Sequence, residues 1–230
     1  MAEPIWQALG DALSVVNVGA GTGSYEPPDR RVTAVEPSAV MIAQRAPGAA
    51  PAVQAAAEQL PFADDSFDAA MAIMTVHHWS DVGAGVAEMI RVARHRVVVV
   101  TFDPRAWDDQ WIVRDYLPEI MTHRAPSFPS PARLLDVLPA ATVQPLLAPH
   151  DCTDRMFATL WARPEQYLDP RVRAATSVWD LLPPAVSARA LEQLRRDLAS
   201  GEWDRRHGHL RTTPAWDVGL RLIRAELPAG

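Results

Sequence analysis

The sequence predicts an α/β fold, a doubly wound and largely parallel sheet, and three observations carry the prediction. A short β-branched run, Val15-Val16-Asn17-Val18, ends in the glycine-rich turn Gly19-Ala20-Gly21-Thr22-Gly23. A second apolar run, Val32-Thr33-Ala34-Val35, ends on Glu36, thirteen residues after Gly23. Strand, glycine turn, then a strand with a terminal acid is how such a sheet builds a nucleoside site. The third observation is the pair of nearly continuous apolar runs at Phe67–Met74 and Arg96–Phe102, expected of strands buried on both faces.

In order along the chain, Leu13–Val18 reads as the first strand and Val32–Glu36 as the second. Ser38–Arg45 reads as a short helix with Ser38 as its N-cap, because a serine oxygen can accept from an orphan N–H of the first turn. Pro51–Ala56 is a candidate third strand, and Phe67–Met74 is the fourth. Val82–Ala93 is helical, with Val82, Val86, Met89, Ile90 and Ala93 at helical spacing. Arg96–Phe102 is the fifth strand. Helical patterns follow at Trp111–Thr122 and Ser130–Leu138, Thr142–Leu147 reads as the sixth strand, and Val218–Ala225 as the seventh. Residues 149–215 between the last two are far longer than a hairpin needs. They read as helical, notably at Ala185–Ser200, where Ala190, Leu191, Leu194 and Leu198 share a face. The whole chain, 1–230, is expected to be one domain, with 149–215 as a helical cap inserted in it.

The glycine turn narrows the choice of nucleoside. Gly19, Gly21 and Gly23 do not complete a G-x-G-x-x-G pattern, and the eight residues Ser24–Arg31 contain Pro27 and Pro28. No regular crossover helix fits there, so a helix N-terminus aimed at a pyrophosphate is not expected. A ligand held by backbone groups and its ribose, without phosphates, fits better; S-adenosylmethionine is such a ligand.

Four segments make the resemblance specific: VVNVGAGTGSY, VTAVEPSAVM, AEQLPFADDSFDAAMAIMTVHHW and RVARHRVVVVTFDP. In their order and spacing the chain resembles the class I S-adenosylmethionine-dependent methyltransferases, of the methyltransferase domain family 11 type. The resemblance implies a Rossmann-like sheet of seven strands whose last strand is antiparallel and added at the sheet edge beside the sixth. It further implies that Gly19, Ala20, Gly21, Thr22 and Gly23 hold the methionine end of the cofactor, and that Glu36, followed by Pro37, binds the ribose hydroxyls. Met41 would pack on the adenine or ribose, Ala57 and Glu58 would border the adenine, and Met74, Thr75 and His78 would line the pocket after the fourth strand. The product would be S-adenosylhomocysteine. Two departures stand out. Ala56 occupies the place where many relatives carry an acid, and the longer N-terminal helical segment of the family is nearly absent.

The apolar fraction of 48% and charged fraction of 22% suit an ordinary globular enzyme. A net charge of −6 disfavours a broad nucleic-acid surface. All 22 basic residues are arginine. A single cysteine, Cys152, excludes an internal disulfide and argues against a thiolate metal site, and His207-x-His209 alone is too little for zinc. No apolar run approaches membrane-spanning length. Met1-Ala2-Glu3-Pro4 lacks the basic region of a signal peptide, so a cytoplasmic location without membrane or nucleic-acid partners is expected.

Methyl transfer needs alignment more than covalent help. His77 and His78, at the end of the fourth strand, are candidate general bases; the competing roles are pocket lining for His78 and a structural hydrogen bond for His77. Asp103 after the fifth strand is a candidate acceptor-orienting acid or a helix cap. Trp107, Trp111 and Tyr116, with Asp115 among them, are candidates for an aromatic acceptor lining, set against core packing of a helix face. Trp161, Arg163, Tyr167 and Trp179 in the insert pose the same choice, Arg155 and Arg163 are surface arginines or contacts for an acidic substrate, and Asp64-Asp65 reads as a solvated turn rather than a metal pair. The expected function is methyl transfer to a small-molecule acceptor on oxygen, nitrogen or carbon. The alternatives are a non-methylating cofactor-binding protein of the same fold and, less well supported, a nicotinamide-dependent oxidoreductase.

Overall fold

A computed structural model describes residues 1–123, 129–138, 140–154, 156–174 and 176–228. The chain divides into two compact units.

The first unit comprises Ala2–Asp103, Ser127–Pro145 and Arg221–Gly230. Its strands are β1 (Ser14–Val18), β2 (Arg31–Val35), β3 (Ala52–Val53), β4 (Phe67–Ile73), β5 (Ala93–Phe102) and β6 (Ala141–Pro145). After β7 (Ala148–Pro149) and β8 (Ala215–Trp216), which lie in the second unit, β9 (Leu220–Glu226) completes the sheet. The seven-stranded order is β3-β2-β1-β4-β5-β9-β6. β1 pairs in parallel with both β2 and β4, and β4 with β5. β9 runs antiparallel to β6, with Val143 opposite Ile223. This is the expected Rossmann-like sheet, seven-stranded with its last strand antiparallel.

One expectation about the sheet needs correction. The last strand is not at the edge: β9 lies between β5 and β6, and β6 is the outer strand. Thr142, Val143, Gln144 and Pro145 are all exposed, a pattern that suits an edge and not an interior position. Boundaries also move. The expected third strand contracts to two residues, and the expected sixth ends at Pro145, with one further in-register bond from Leu146 N–H to the Leu220 carbonyl at 2.9 Å.

The helices of this unit are α1 (Ala2–Ala8), α2 (Ala39–Ala43), α3 (Val82–Val92) and, after α4 (Trp111–Tyr116) and α5 (Ile120–His123) of the second unit, α6 (Pro131–Leu135). α1 is short but present, and it buries Ile5. α3 is amphipathic: Val86, Met89 and Val92 pack into a core with Val16 and Val18 of β1, Ala70 and Ala72 of β4, and Val97 and Val99 of β5. Alternate residues of three strands thus present one apolar face to one helical stripe. Asp81 caps α3, its Oδ1 accepting from Ala84 N–H at 3.0 Å. Leu134 and Leu138 join the same core, beside Ile223 and Ala225 of β9.

The second unit holds Pro104–Pro126 and Leu146–Leu220. α4 and α5 replace the single helical stretch expected over Trp111–Thr122, broken at Leu117-Pro118. The segment 149–215 is helical at α7 (Pro170–Ala174), α8 (Pro184–Ser200) and α9 (Glu202–His207), with 3-10 turns between. β7 and β8 pair antiparallel, Ala148 opposite Trp216, and so join the two ends of that segment. Ala190 and Leu194 form the buried stripe of α8.

Candidate active site

Three adjacent strands of the first unit, β2, β1 and β4, end together on the carboxyl edge of the sheet. β1 is where the winding reverses: β2 lies to one side and β4 to the other. Ligands of doubly wound folds bind in the crevice at such a switch point.

The glycine turn leaves β1 here. Gly19 and Ala20 donate their N–H groups to the Val35 carbonyl, at 2.8 and 2.9 Å, which folds the turn back over the end of β2. Gly19 and Gly21 adopt left-handed backbone with φ of 70° and 53°. A Cβ on Gly21 would lie 3.1 Å from Cε of Met41, so the methionine closes over a bare stretch of backbone.

Glu36 follows β2 and is buried, only 6% exposed. Its Oε2 accepts from Gly21 N–H at 2.8 Å, and its Oε1 from Ser38 N–H at 3.0 Å. Each carboxylate oxygen carries about two lone-pair sites, so each retains one toward a ligand hydroxyl. Pro37 is exposed, and its carbonyl accepts from Gln54 Nε2. Ser38 caps α2 as expected, its Oγ accepting from Met41 N–H at 3.3 Å.

Met74 and Thr75 follow β4. Met74 is a non-glycine residue with φ of 52°, anchored by its N–H on the Val100 carbonyl at 2.8 Å. Such strain persists where neighbours over-determine it, commonly at functional sites. His77 and His78 lie in the single 3-10 turn Val76–His78, their rings 3.9 Å apart. Burial, with a smaller coulombic contribution from the neighbouring His78, pushes the His77 pKa down to about 4. His77 is therefore a neutral imidazole at neutral pH. His78 is exposed.

Ala57 lies in the apolar core beside Leu60, and Glu58 Oε1 accepts from Ser80 N–H, Ser80 Oγ and Asp81 N–H at 2.7, 2.9 and 3.1 Å. Burial raises the Glu58 pKa, but these hydrogen bonds outweigh it and hold the carboxyl below its ordinary value. The glutamate thus ties the segment around Ala57 to the start of α3. Asp103, after β5, is buried and lies 4.0 Å from the Arg221 guanidinium of β9. Asp64 accepts from Arg91 at 2.8 Å within its turn.

Trp107, Trp111 and Tyr116 belong to the second unit and are 6%, 4% and 0% exposed. The Trp111 ring sits among Tyr116, Tyr167, Trp203 and His207, and its Nε1 donates to the Trp161 carbonyl at 2.8 Å. Tyr116 Oη donates to Asp197 Oδ2 at 2.7 Å. For Trp111 and Tyr116 this is the environment of core residues. His207 Nε2 meets Asp115 Oδ2 at 2.7 Å, so the His207-x-His209 pair is divided by a structural contact. Arg163 donates to the Cys152 carbonyl and is not a free surface cation, while Arg155 lies outside the described residues. Among the described residues no group of three His, Cys, Asp or Glu side chains is placed to hold a metal ion.

Two residues of the site escaped the sequence reading. Arg45 and Glu26 form an ion pair at 2.7 Å beneath the glycine turn, with side chains only 6% and 11% exposed. No motif announces them; the prolines after Glu26 signalled the missing helix but not what replaces it.

Residues 16–101 match the Methyltransferase domain family. A putative methyltransferase from an antibiotic biosynthesis pathway of Anabaena variabilis ATCC 29413 is 32% identical, with 98% of this chain and 96% of that chain aligned at a TM-score of 0.88. The geranyl diphosphate C-methyltransferase of Streptomyces coelicolor A3(2), solved with S-adenosyl-L-homocysteine, shares the fold at 16% identity and a TM-score of 0.53, over 100% of this chain and 76% of that one. The uncharacterized protein YafE of Escherichia coli (strain K12) is 46% identical over 41 residues, which span 18% of this chain and 20% of YafE. The chain belongs to the class I S-adenosylmethionine-dependent methyltransferases.

Proposed function

We propose that the protein transfers the methyl group of S-adenosylmethionine to a small-molecule acceptor at oxygen, nitrogen or carbon. One observation carries the reading: the buried Glu36 carboxylate, fixed by Gly21 and Ser38 N–H groups at the switch point of the sheet. The residues present fit the cofactor. Backbone without Cβ lines the turn, Met41 closes over Gly21, and Glu36 offers two acceptors to a ribose.

When bound, the cofactor would supply a sulfonium-bound methyl group for in-line displacement by the acceptor, with S-adenosylhomocysteine as the leaving group. The residues of this chain bind and orient. Glu36 accepts the ribose hydroxyls, the Gly19–Gly23 backbone holds the methionine end, and Met74 and Thr75 bound the pocket after β4. His77, kept neutral by burial, is a weak base. Alignment therefore contributes more than proton abstraction by this residue.

The test is a thermal-shift titration with S-adenosylmethionine, S-adenosylhomocysteine and NAD(H). A ligand at one hundred times its dissociation constant adds about 2.7 kcal/mol of stability. A shift with the first two alone supports the reading; a shift with nicotinamide cofactor alone overturns it. Amide exchange with S-adenosylhomocysteine present tests residues 149–215 as a cap, for which slowed exchange there is the expected outcome. No helix among the described residues is long and apolar enough to cross a membrane.

A further inference from the structure

We infer that the buried Glu26–Arg45 ion pair is a positioning element for cofactor binding, holding the glycine turn where the crossover helix of a β-α-β unit would otherwise hold it. The inference rests on the methyltransferase reading of the site.

Residues 19–30, which connect the parallel strands β1 and β2, form turns and no helix. The connection contains three left-handed glycines and Tyr25 at φ 65°, a conformation that a helix does not stabilise. Arg45 supplies what is missing. Its Nη2 donates to both Glu26 carboxylate oxygens, at 2.7 and 2.8 Å, and to the Ala50 carbonyl at 3.0 Å. Its Nη1 donates to the Gly21 carbonyl at 3.1 Å. Glu26 in turn accepts from Asn17 Nδ2 of β1 at 3.3 Å and from Ala50 N–H at 3.4 Å.

Gly21 is consequently gripped from both sides. Glu36 takes its N–H, and Arg45 takes its carbonyl. The group that reads the ribose and the group that sets the turn share one residue. A planar guanidinium can serve Glu26, Gly21 and Ala50 together; a lysine ammonium cannot present the same fork. Burying this pair costs desolvation, and removal of one partner leaves the other charge uncompensated.

The experiment is a calorimetric titration of the full chain with S-adenosylhomocysteine, comparing wild type with Glu26→Gln and Arg45→Lys. Both variants are expected to bind roughly 5- to 150-fold more weakly, the span typical of energetic coupling between two sites in a protein. In wild type, ligand binding should also slow amide exchange at Ala50, whose N–H reports on Glu26 and has no bond to Glu36. A pair that only stabilised the fold would leave that amide with no more protection than ligand binding gives to the sheet as a whole. If folded variants bind as wild type does, the positioning role is overturned while the wild-type titration still upholds the cofactor reading. Should neither variant fold, an unprotected Ala50 amide in ligand-bound wild type overturns it. Failure of wild type to bind overturns both.

Discussion

Gly19 and Thr75 are in such close contact that a side chain on the glycine has no room: a Cβ there would lie 2.0 Å from Thr75 Oγ1. The turn after β1 and the segment after β4 therefore close on each other through bare backbone. Gly19→Ala would also force an alanine into φ near 70°, a strain of about 1–3 kcal/mol. We expect the variant to lose S-adenosylhomocysteine binding in calorimetry. Adding Thr75→Gly, which also removes the Thr75 Cβ that would lie 2.8 Å away, should recover part of it, because the collision is relieved and the backbone strain is not. No recovery would mean that the glycine is needed for its φ alone.

Glu36 makes the second prediction. Glu36→Ala leaves Gly21 and Ser38 N–H groups without their acceptor, and cofactor affinity should fall by about 1–3 kcal/mol. Titration calorimetry measures this directly. An unchanged dissociation constant would remove the ribose assignment.

The third concerns His77. An ordinary imidazole titrates near 6.5. With His77 at about 4 in the folded chain, the unfolded chain binds this proton between those values and the folded chain does not. Stability is therefore lost as pH falls from 6.5 through 4. The difference in urea-unfolding free energy between wild type and His77→Asn should shrink over that interval. A gap that holds constant from pH 7 to pH 4.5 would contradict the depressed value.

Trp111 separates core from acceptor lining. Its indole N–H is buried on the Trp161 carbonyl, so Trp111→Phe should lower stability by about 1–3 kcal/mol through that unsatisfied acceptor. Once an acceptor is known, its KM should be nearly unchanged. A large rise in KM with stability preserved would restore Trp111 to the acceptor site.

Much of this was legible in the sequence, for physical reasons. Apolar runs of strand length and the α3 periodicity identify β1, β2, β4, β5 and α3, because burial on one or both faces imposes those patterns. Ser38 announces a cap because capping is local. The place of β9 was not legible: strand order depends on which edges meet, and neither Thr142–Leu147 nor Val218–Ala225 encodes its neighbour. Arg45 and Glu26 were silent because their pairing spans 19 residues and depends on a turn with no regular period. The tryptophans were ambiguous because a large apolar ring serves a core and a pocket equally well. Only the contacts of Trp111 and Tyr116 distinguish the two.

The order of strands has a consequence for how the protein is made. β1 to β5 can join one another as they emerge, each finding a partner already present. β6 cannot: the strand beside it, β9, is separated from it by the whole of 146–219, and β9 fills the gap between β5 and β6. During synthesis the five residues Ala141–Pro145 wait with no neighbour in the sheet while Leu146–Leu220 of the second unit is being added. A chain halted before Leu220 should consequently leave β5 with a bare edge and be prone to aggregate, and release of the next few residues should relieve it. Comparing the solubility of released chains that end at residues 219 and 228 would show whether assembly of the sheet is sealed by its penultimate position rather than by its rim.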